Sequence, residues 1–129
     1  MADASYPPDL LYHPEHDWAR VDGDGATFGI TWYAQDQLGE VVFFDPPKVG
    51  EQVSKDQPYT EIESVKAVSD VFAPMSGEIV EVNEALGETP EKINEDPYGD
   101  GWLVRVKLSD PSETGSLMSP DEYEATLES

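Results

Sequence analysis

Apolar and polar residues alternate in short runs along this chain, and glycine, proline and acidic residues separate the runs. The run Trp102-Leu103-Val104-Arg105-Val106-Lys107-Leu108 puts Trp102, Val104, Val106 and Leu108 on one side, the pattern of a half-buried strand. Trp18-Ala19-Arg20-Val21 and Ala26-Thr27-Phe28-Gly29-Ile30 flank Asp22-Gly23-Asp24-Gly25, which predicts a hairpin with glycine-rich turn chemistry. Next, Thr31 as N-cap and Gly39 at the far end bracket a helix of about two turns. Val41-Val42-Phe43-Phe44 resumes as a strand and stops at Pro46-Pro47. Two further strands, Tyr59 to Ser64 and Val68 to Ala73, are β-branched and aromatic and meet around Lys66.

Gly50-Glu51-Gln52-Val53 and Gly77-Glu78-Ile79-Val80 echo one another, each opening a strand after a proline-containing loop. Two halves so related would pack as two small antiparallel sheets with the Lys66 turn projecting from one end. Beyond Val82 the pattern gives an acidic loop with a helical turn near Pro90 to Ile93. Asp110-Pro111 and Ser119-Pro120-Asp121-Glu122 are helix-start signals, the second a capping box. The elements therefore predict one mainly β domain over residues 1–129, with a flexible segment at 1–9 and C-terminal helices at 110–129 covering the sheets.

Composition narrows what such a domain does. There is no cysteine, hence no disulfide framework, thiolate metal site or cysteine nucleophile. The formal charge is −21, from 28 acids against seven bases, which opposes binding to nucleic acid phosphates and anionic membranes. The same charge suits solubility, salt adaptation or steering toward basic docking surfaces. No secretory signal or membrane-length apolar run is present, so the expected location is the cytosol. No nucleophile–base set, phosphate loop or metal-ligand cluster is recognisable. His13 lacks a second ligand set, and His16 is expected to pack beside Trp18.

The residue that changes the picture is Lys66. Between Asp56 and Glu91 it is the only base among 36 residues, nine of them acidic. Val65-Lys66-Ala67 contains none of the Gly, Asn, Asp or Pro that tight turns favour, so something other than turn propensity selects it. A lone amine on a rigid tip in an acidic field has the character of an attachment point.

Glu61-Ile62-Glu63-Ser64-Val65-Lys66-Ala67-Val68-Ser69-Asp70 closely resembles the lipoylation segment of the glycine cleavage system H-protein family. The likeness extends in order through 13–18, 29–35, 38–43, 76–83 and 94–102, covering about Leu10 to Leu127. It implies a lipoyl/biotinyl-type barrel-sandwich hybrid of two antiparallel sheets with short flanking and C-terminal helices. It also implies that Lys66 carries lipoic acid in amide linkage, and that Glu63 marks the segment for the lipoyl-attaching enzyme. Glu15, Asp17 and Asp70 stand at positions that line the family's cleft for the amine cargo. By the same resemblance the chain is a carrier and not an enzyme. Its partners would be the pyridoxal-phosphate-dependent glycine decarboxylase (P protein), the tetrahydrofolate-dependent aminomethyltransferase (T protein) and dihydrolipoyl dehydrogenase (L protein).

Trp32 stands where the family commonly has an acid, and Phe44-Asp45-Pro46-Pro47 replaces a valine-glutamate-leucine-proline run. Biotin carriers differ in placing their lysine between two methionines, and acyltransferase lipoyl domains in placing an aspartate before it. A lipoyl-relay protein serving 2-oxo acid dehydrogenases and a non-lipoylated interaction module remain as alternatives.

Overall fold

The computed structural model describes residues 6–128, with the side chain of Glu128 excluded. Its first strands are β1 (Leu11–His13), β2 (Asp17–Asp22) and β3 (Gly25–Ile30). They are followed by helix α1 (Trp32–Leu38), β4 (Val41–Phe44), β5 (Gln52–Val53), β6 (Pro58–Ser64) and β7 (Val68–Phe72). Then come β8 (Gly77–Val82), a one-turn helix α2 (Lys92–Glu95), β9 (Val104–Leu108) and α3 (Pro120–Glu128). All pairings are antiparallel. One sheet runs β1-β2-β3-β9-β8-β5 and the other β4-β6-β7. This is the expected mainly β architecture of two antiparallel sheets. The two echoing segments pair directly with each other, Gln52 opposite Glu78 and Val53 opposite Gly77.

Side-chain alternation along β2 shows how the layers are built. Ala19 and Val21 point between the two sheets with Phe28, Ile62, Met75, Ile79 and Val104. Trp18 points the other way, into a second cluster with Leu10, Tyr12 and Tyr123. Burying each such apolar side chain contributes roughly 1.5–3 kcal/mol. Gly29, opposite Trp18, is required there because a Cβ would lie 2.5 Å from the indole. Asp17 lies on the Ala19 side of β2, so its carboxyl is carried toward the space between the sheets.

Local signals were realised closely. Thr31 Oγ1 accepts from the Ala34 N–H (3.2 Å), and the Gly39 N–H donates to the Gln35 carbonyl (2.9 Å). Ser119 and Glu122 form a reciprocal capping box at α3 (2.9 and 3.3 Å). Other expectations need correction. The alternation of β9 holds from Val104 to Leu108, but Leu103 is the buried residue before it, and Trp102 turns out to stack under Arg105. Pro111–Ser116 is a 3-10 segment, not an α-helix. The hydroxyls of Thr114 and Ser116 bond to carbonyls three residues back and compete with helical pairing. A second 3-10 turn, Glu84–Gly87, lies in the expected acidic loop, and α2 begins two residues later than expected.

At the termini, residues 1–5 of the segment expected to be flexible, and Ser129, lie outside the described residues. Tyr6, from the same segment, packs edge-to-face on Tyr12 and Tyr123, because its ring finds an apolar seat beneath α3. Among the described residues, no helix is long and apolar enough to cross a membrane. The Tyr12–Met118 bridge and Tyr123 seat the C-terminal segment on the β1 edge of the larger sheet.

Candidate functional site

The β6–β7 hairpin ends at Ser64-Val65-Lys66-Ala67, and its lack of turn-forming residues is answered by Ser64. That buried hydroxyl accepts from the N–H groups of Lys66 (3.2 Å) and Ala67 (3.0 Å), while the Ser64 N–H donates to the Ala67 carbonyl (2.7 Å). The Val65 N–H donates across to the Glu40 carbonyl (3.0 Å). The tip is thereby fixed from within and from the α1–β4 link. Asn94 of α2 holds that link in turn, donating to the Gly39 carbonyl (2.9 Å) and accepting from the Val41 N–H (2.8 Å).

Lys66 itself is exposed. Its stem passes over Gly39, where a Cβ would sit 3.2 Å from Lys66 Cε. Gly39 also has φ of 86°, so that position favours glycine both for its backbone and for the lysine passing over it. Glu63 is exposed on the outer face of the small sheet, in a cross-strand row with Phe43 and Val68, directly below the tip.

From Ala67, Val68 and Ser69 a surface groove of about 430 Å³ runs to Glu15 and His16 on the opposite wall, with Tyr33, Ala34 and Gln37 of α1 along one side. It shares Glu15, His16, Ala34, Leu38 and Ser69 with a smaller pit of about 40 Å³ that is also lined by Asp17, Ile62 and Asp70. Glu15, Asp17 and Asp70, far apart in sequence, therefore line one pit, Asp70 from the edge strand β7, where its pairing opposite the exposed Glu61 sets it on the outer face. Glu15 and Asp70 are exposed, whereas Asp17 is 2% exposed and its Oδ2 has no hydrogen-bond partner among the described residues. Burial, and then the neighbouring Glu15 charge, push the Asp17 carboxyl well above the usual carboxylate range, against a hydrogen bond from the Phe72 backbone. A larger apolar groove, about 500 Å³ between Phe44–Val49 and Val82–Gly87, includes none of these residues.

His16 does not stand beside Trp18. Its ring lies 4.6 Å from that of Tyr33, and its Nδ1 is 2.7 Å from the Tyr123 hydroxyl. The side chains of residues 16 and 18 leave different elements, since His16 lies in the β1–β2 turn with φ of 74°. Trp18 donates instead to the Pro97 carbonyl (3.0 Å). Burial lowers the His16 imidazole from its ordinary range. Ser64, Gly39 and Asn94 were absent from the sequence-based site. A serine two residues before the lysine in a turn without glycine is the one local signal that could have found the first of them.

A family profile described as "Glycine cleavage H-protein" matches residues 10–129. The chain belongs to this family. A glycine cleavage system H protein of Rubrobacter xylanophilus is 56% identical over 125 residues, covering 97% of each chain. One from Symbiobacterium thermophilum is 48% identical over 122 residues, covering 95% of each. The crystal structure of a glycine cleavage system H protein from Mycobacterium marinum superposes with a TM-score of 0.88 at 40% identity, covering 96% of this chain and all of that one. The H-protein family consists of lipoate carriers in the glycine cleavage system, and this chain has that carrier role rather than an enzyme's.

Proposed function

We propose that Lys66 is the lipoyl attachment residue of this H protein. The whole chain is then a single lipoyl-carrier domain working in the cytoplasm. The observation that carries the reading is the exposed lysine on a hydrogen-bonded tip, beside a groove that begins at Ala67 and adjoins the pit of the buried Asp17. The residues fit the group: the amine is accessible for amide formation, and acylation removes its charge. Lys66 would hold the lipoyl group through an amide at Nζ, and that group would supply a disulfide that is reduced as one sulfur takes up an aminomethyl carbon and is reoxidised by dihydrolipoyl dehydrogenase once the carbon has been passed to tetrahydrofolate.

The chain's own residues position and shelter. Ser64 and Gly39 aim Lys66. Glu15 and Asp70 offer carboxylates, and Asp17 a buried carboxyl, to a protonated cargo amine. Leu38, Ile62 and Ala34 keep one side of the pit apolar and restrict water. Glu63 on the outer row is the contact for the lipoyl-attaching enzyme. The decarboxylase, the aminomethyltransferase and dihydrolipoyl dehydrogenase are the successive partners of the arm.

Lys66→Arg keeps the charge but cannot be lipoylated. The expected result is a folded chain whose intact mass is unchanged by expression with lipoate, and which supports no glycine–bicarbonate exchange in the reconstituted system. Retained exchange would overturn the assignment.

A further inference from the structure

Behind the pit lies a pair of residues that the carrier reading leaves unused. His13, at the end of β1, is 2% exposed. Its Nδ1 accepts from the Glu15 backbone N–H (3.1 Å). A neutral imidazole that accepts at Nδ1 carries its proton on Nε2, and Nε2 lies 2.6 Å from Asp56 Oδ1. The Nε2–H therefore donates to the Asp56 carboxylate. Nδ1 is also 3.7 Å from Asp17 Oδ2, beyond hydrogen-bond distance, so His13 reaches the pit through the Glu15 backbone and through packing against Asp17.

Asp56 is tied in from its own side. Its N–H donates to the Ala73 carbonyl (2.9 Å), just past the end of β7, the strand that carries Asp70. Its carboxylate also accepts from Lys55 Nζ (3.0 and 3.1 Å). His13 thus joins two turns, one bearing Glu15 and Asp17, the other bound to the Asp70 strand. A second observation points to the same place. Among the described residues, the non-glycine residues with positive φ are His16 (74°) and Asp56 (71°). Asp56 is one partner of the His13–Asp56 bond, and His16 closes the turn that follows the other. Such conformations persist only where neighbouring bonds hold them. The His16 N–H also donates to the His13 carbonyl (2.9 Å), closing the turn.

We propose that the His13–Asp56 pair is a clamp that sets the Glu15–Asp17 wall of the pit at its working distance from Asp70. His13 and Asp56 are positioning residues for the cargo amine and touch neither it nor the arm. The inference rests on the carrier reading for its purpose, though not for its geometry.

The test begins on the unlipoylated chain. In the wild type, the His13 Nε2–H gives a sheltered downfield proton signal and the Glu15 amide exchanges slowly. Asp56→Ala removes the signal and speeds Glu15 exchange about tenfold, the scale of one charge-assisted hydrogen bond. Asp56→Asn, whose carboxamide oxygen still accepts, restores part of both. On the lipoylated chain, Asp56→Ala shortens the lifetime of bound cargo several-fold while the rate of Lys66 acylation stays at the wild-type value, because the tip is held separately by Ser64. Wild-type exchange at Glu15 in Asp56→Ala would overturn the clamp. So would cargo lifetime and acylation falling together, the mark of a general structural defect. Should Asp56→Ala not fold, His13→Asn serves: its amide oxygen can still accept from Glu15 but cannot reach Asp56, and the same two readouts decide. A wild-type chain that takes up no lipoate would defeat the carrier reading alone, and the exchange experiment would still decide whether the clamp exists.

Discussion

At the scale of single residues, the site combines groups held for opposite reasons. Ser64 has every hydrogen-bonding capacity used, and so the hairpin keeps one shape. Asp17 Oδ2 has no hydrogen-bond partner among the described residues, and so it is costly to bury. The Tyr59 hydroxyl is likewise buried with no hydrogen-bond partner among the described residues, and burial, with a smaller contribution from Asp17, raises it. The raised Asp17 carboxyl has a consequence for stability. Above the ordinary carboxylate range the unfolded chain has released this proton while the folded chain retains it. Stability therefore falls as pH rises, by about 1.4 kcal/mol per unit from this group, until the folded carboxyl also ionises. Asp17→Asn has no such proton. Urea unfolding from pH 4 to 8 should show the variant gaining on the wild type as pH rises above the ordinary carboxylate range. A stability difference that is flat across that range would mean that Asp17 ionises as an ordinary surface acid.

At the scale of elements, the parts legible in the sequence are those settled within a few residues. The Asp22–Gly25 turn, the Thr31 cap and the Ser119–Glu122 box depend on atoms three or four positions apart, and all formed. Lys66 and its two strands were legible for the same reason. The joints that assemble the pit were not, because they link distant positions. The hydroxyl of Tyr123 on α3 lies 2.8 Å from Thr31 Oγ1 and 2.7 Å from His16 Nδ1, spanning 92 and 107 residues. With Thr31 Oγ1 accepting from Ala34, an arrangement in which Thr31 donates to Tyr123 and Tyr123 donates to His16 Nδ1 satisfies all three groups. One hydroxyl thus pins the C-terminal helix to the cap of α1 and to the groove wall. Tyr123→Phe should cost about 1–3 kcal/mol by leaving those groups unpaired. Paired with Thr31→Ala, the loss should be less than the sum of the two single losses, since the second change removes a partner that is already missing. Strictly additive losses in denaturant midpoints at constant slope would show that the three groups do not act together.

At the scale of the whole molecule, the charge of −21 works against the fold that it decorates. Four of the seven bases pair with acids at the surface: Arg20 with Asp9, Lys55 with Asp56, Lys92 with Glu95 and Arg105 with Glu81. Exposed pairs of this kind are worth about 0–1 kcal/mol each, too little to offset so large an excess of acid. The excess even occupies the sheet beside the site, where Glu61 stands directly opposite Asp70 on the exposed face of β6 and β7. Like charges in that register are unfavourable, so this pair adds to the cost that the net charge imposes on the fold. Salt separates the two effects. Because screening extends over about 10 Å at 0.1 M, raising sodium chloride from 0.02 to 0.3 M should relieve acid–acid repulsion more than it weakens the four pairs, and the melting temperature should rise. Asp70→Asn removes one member of the opposed pair. It should raise the melting temperature at low salt and reduce the further rise, while weakening retention of the cargo amine. A melting temperature that falls with salt, or a salt response unaltered by Asp70→Asn, would show that local pairing and not the collective acidic field governs the electrostatics of this carrier.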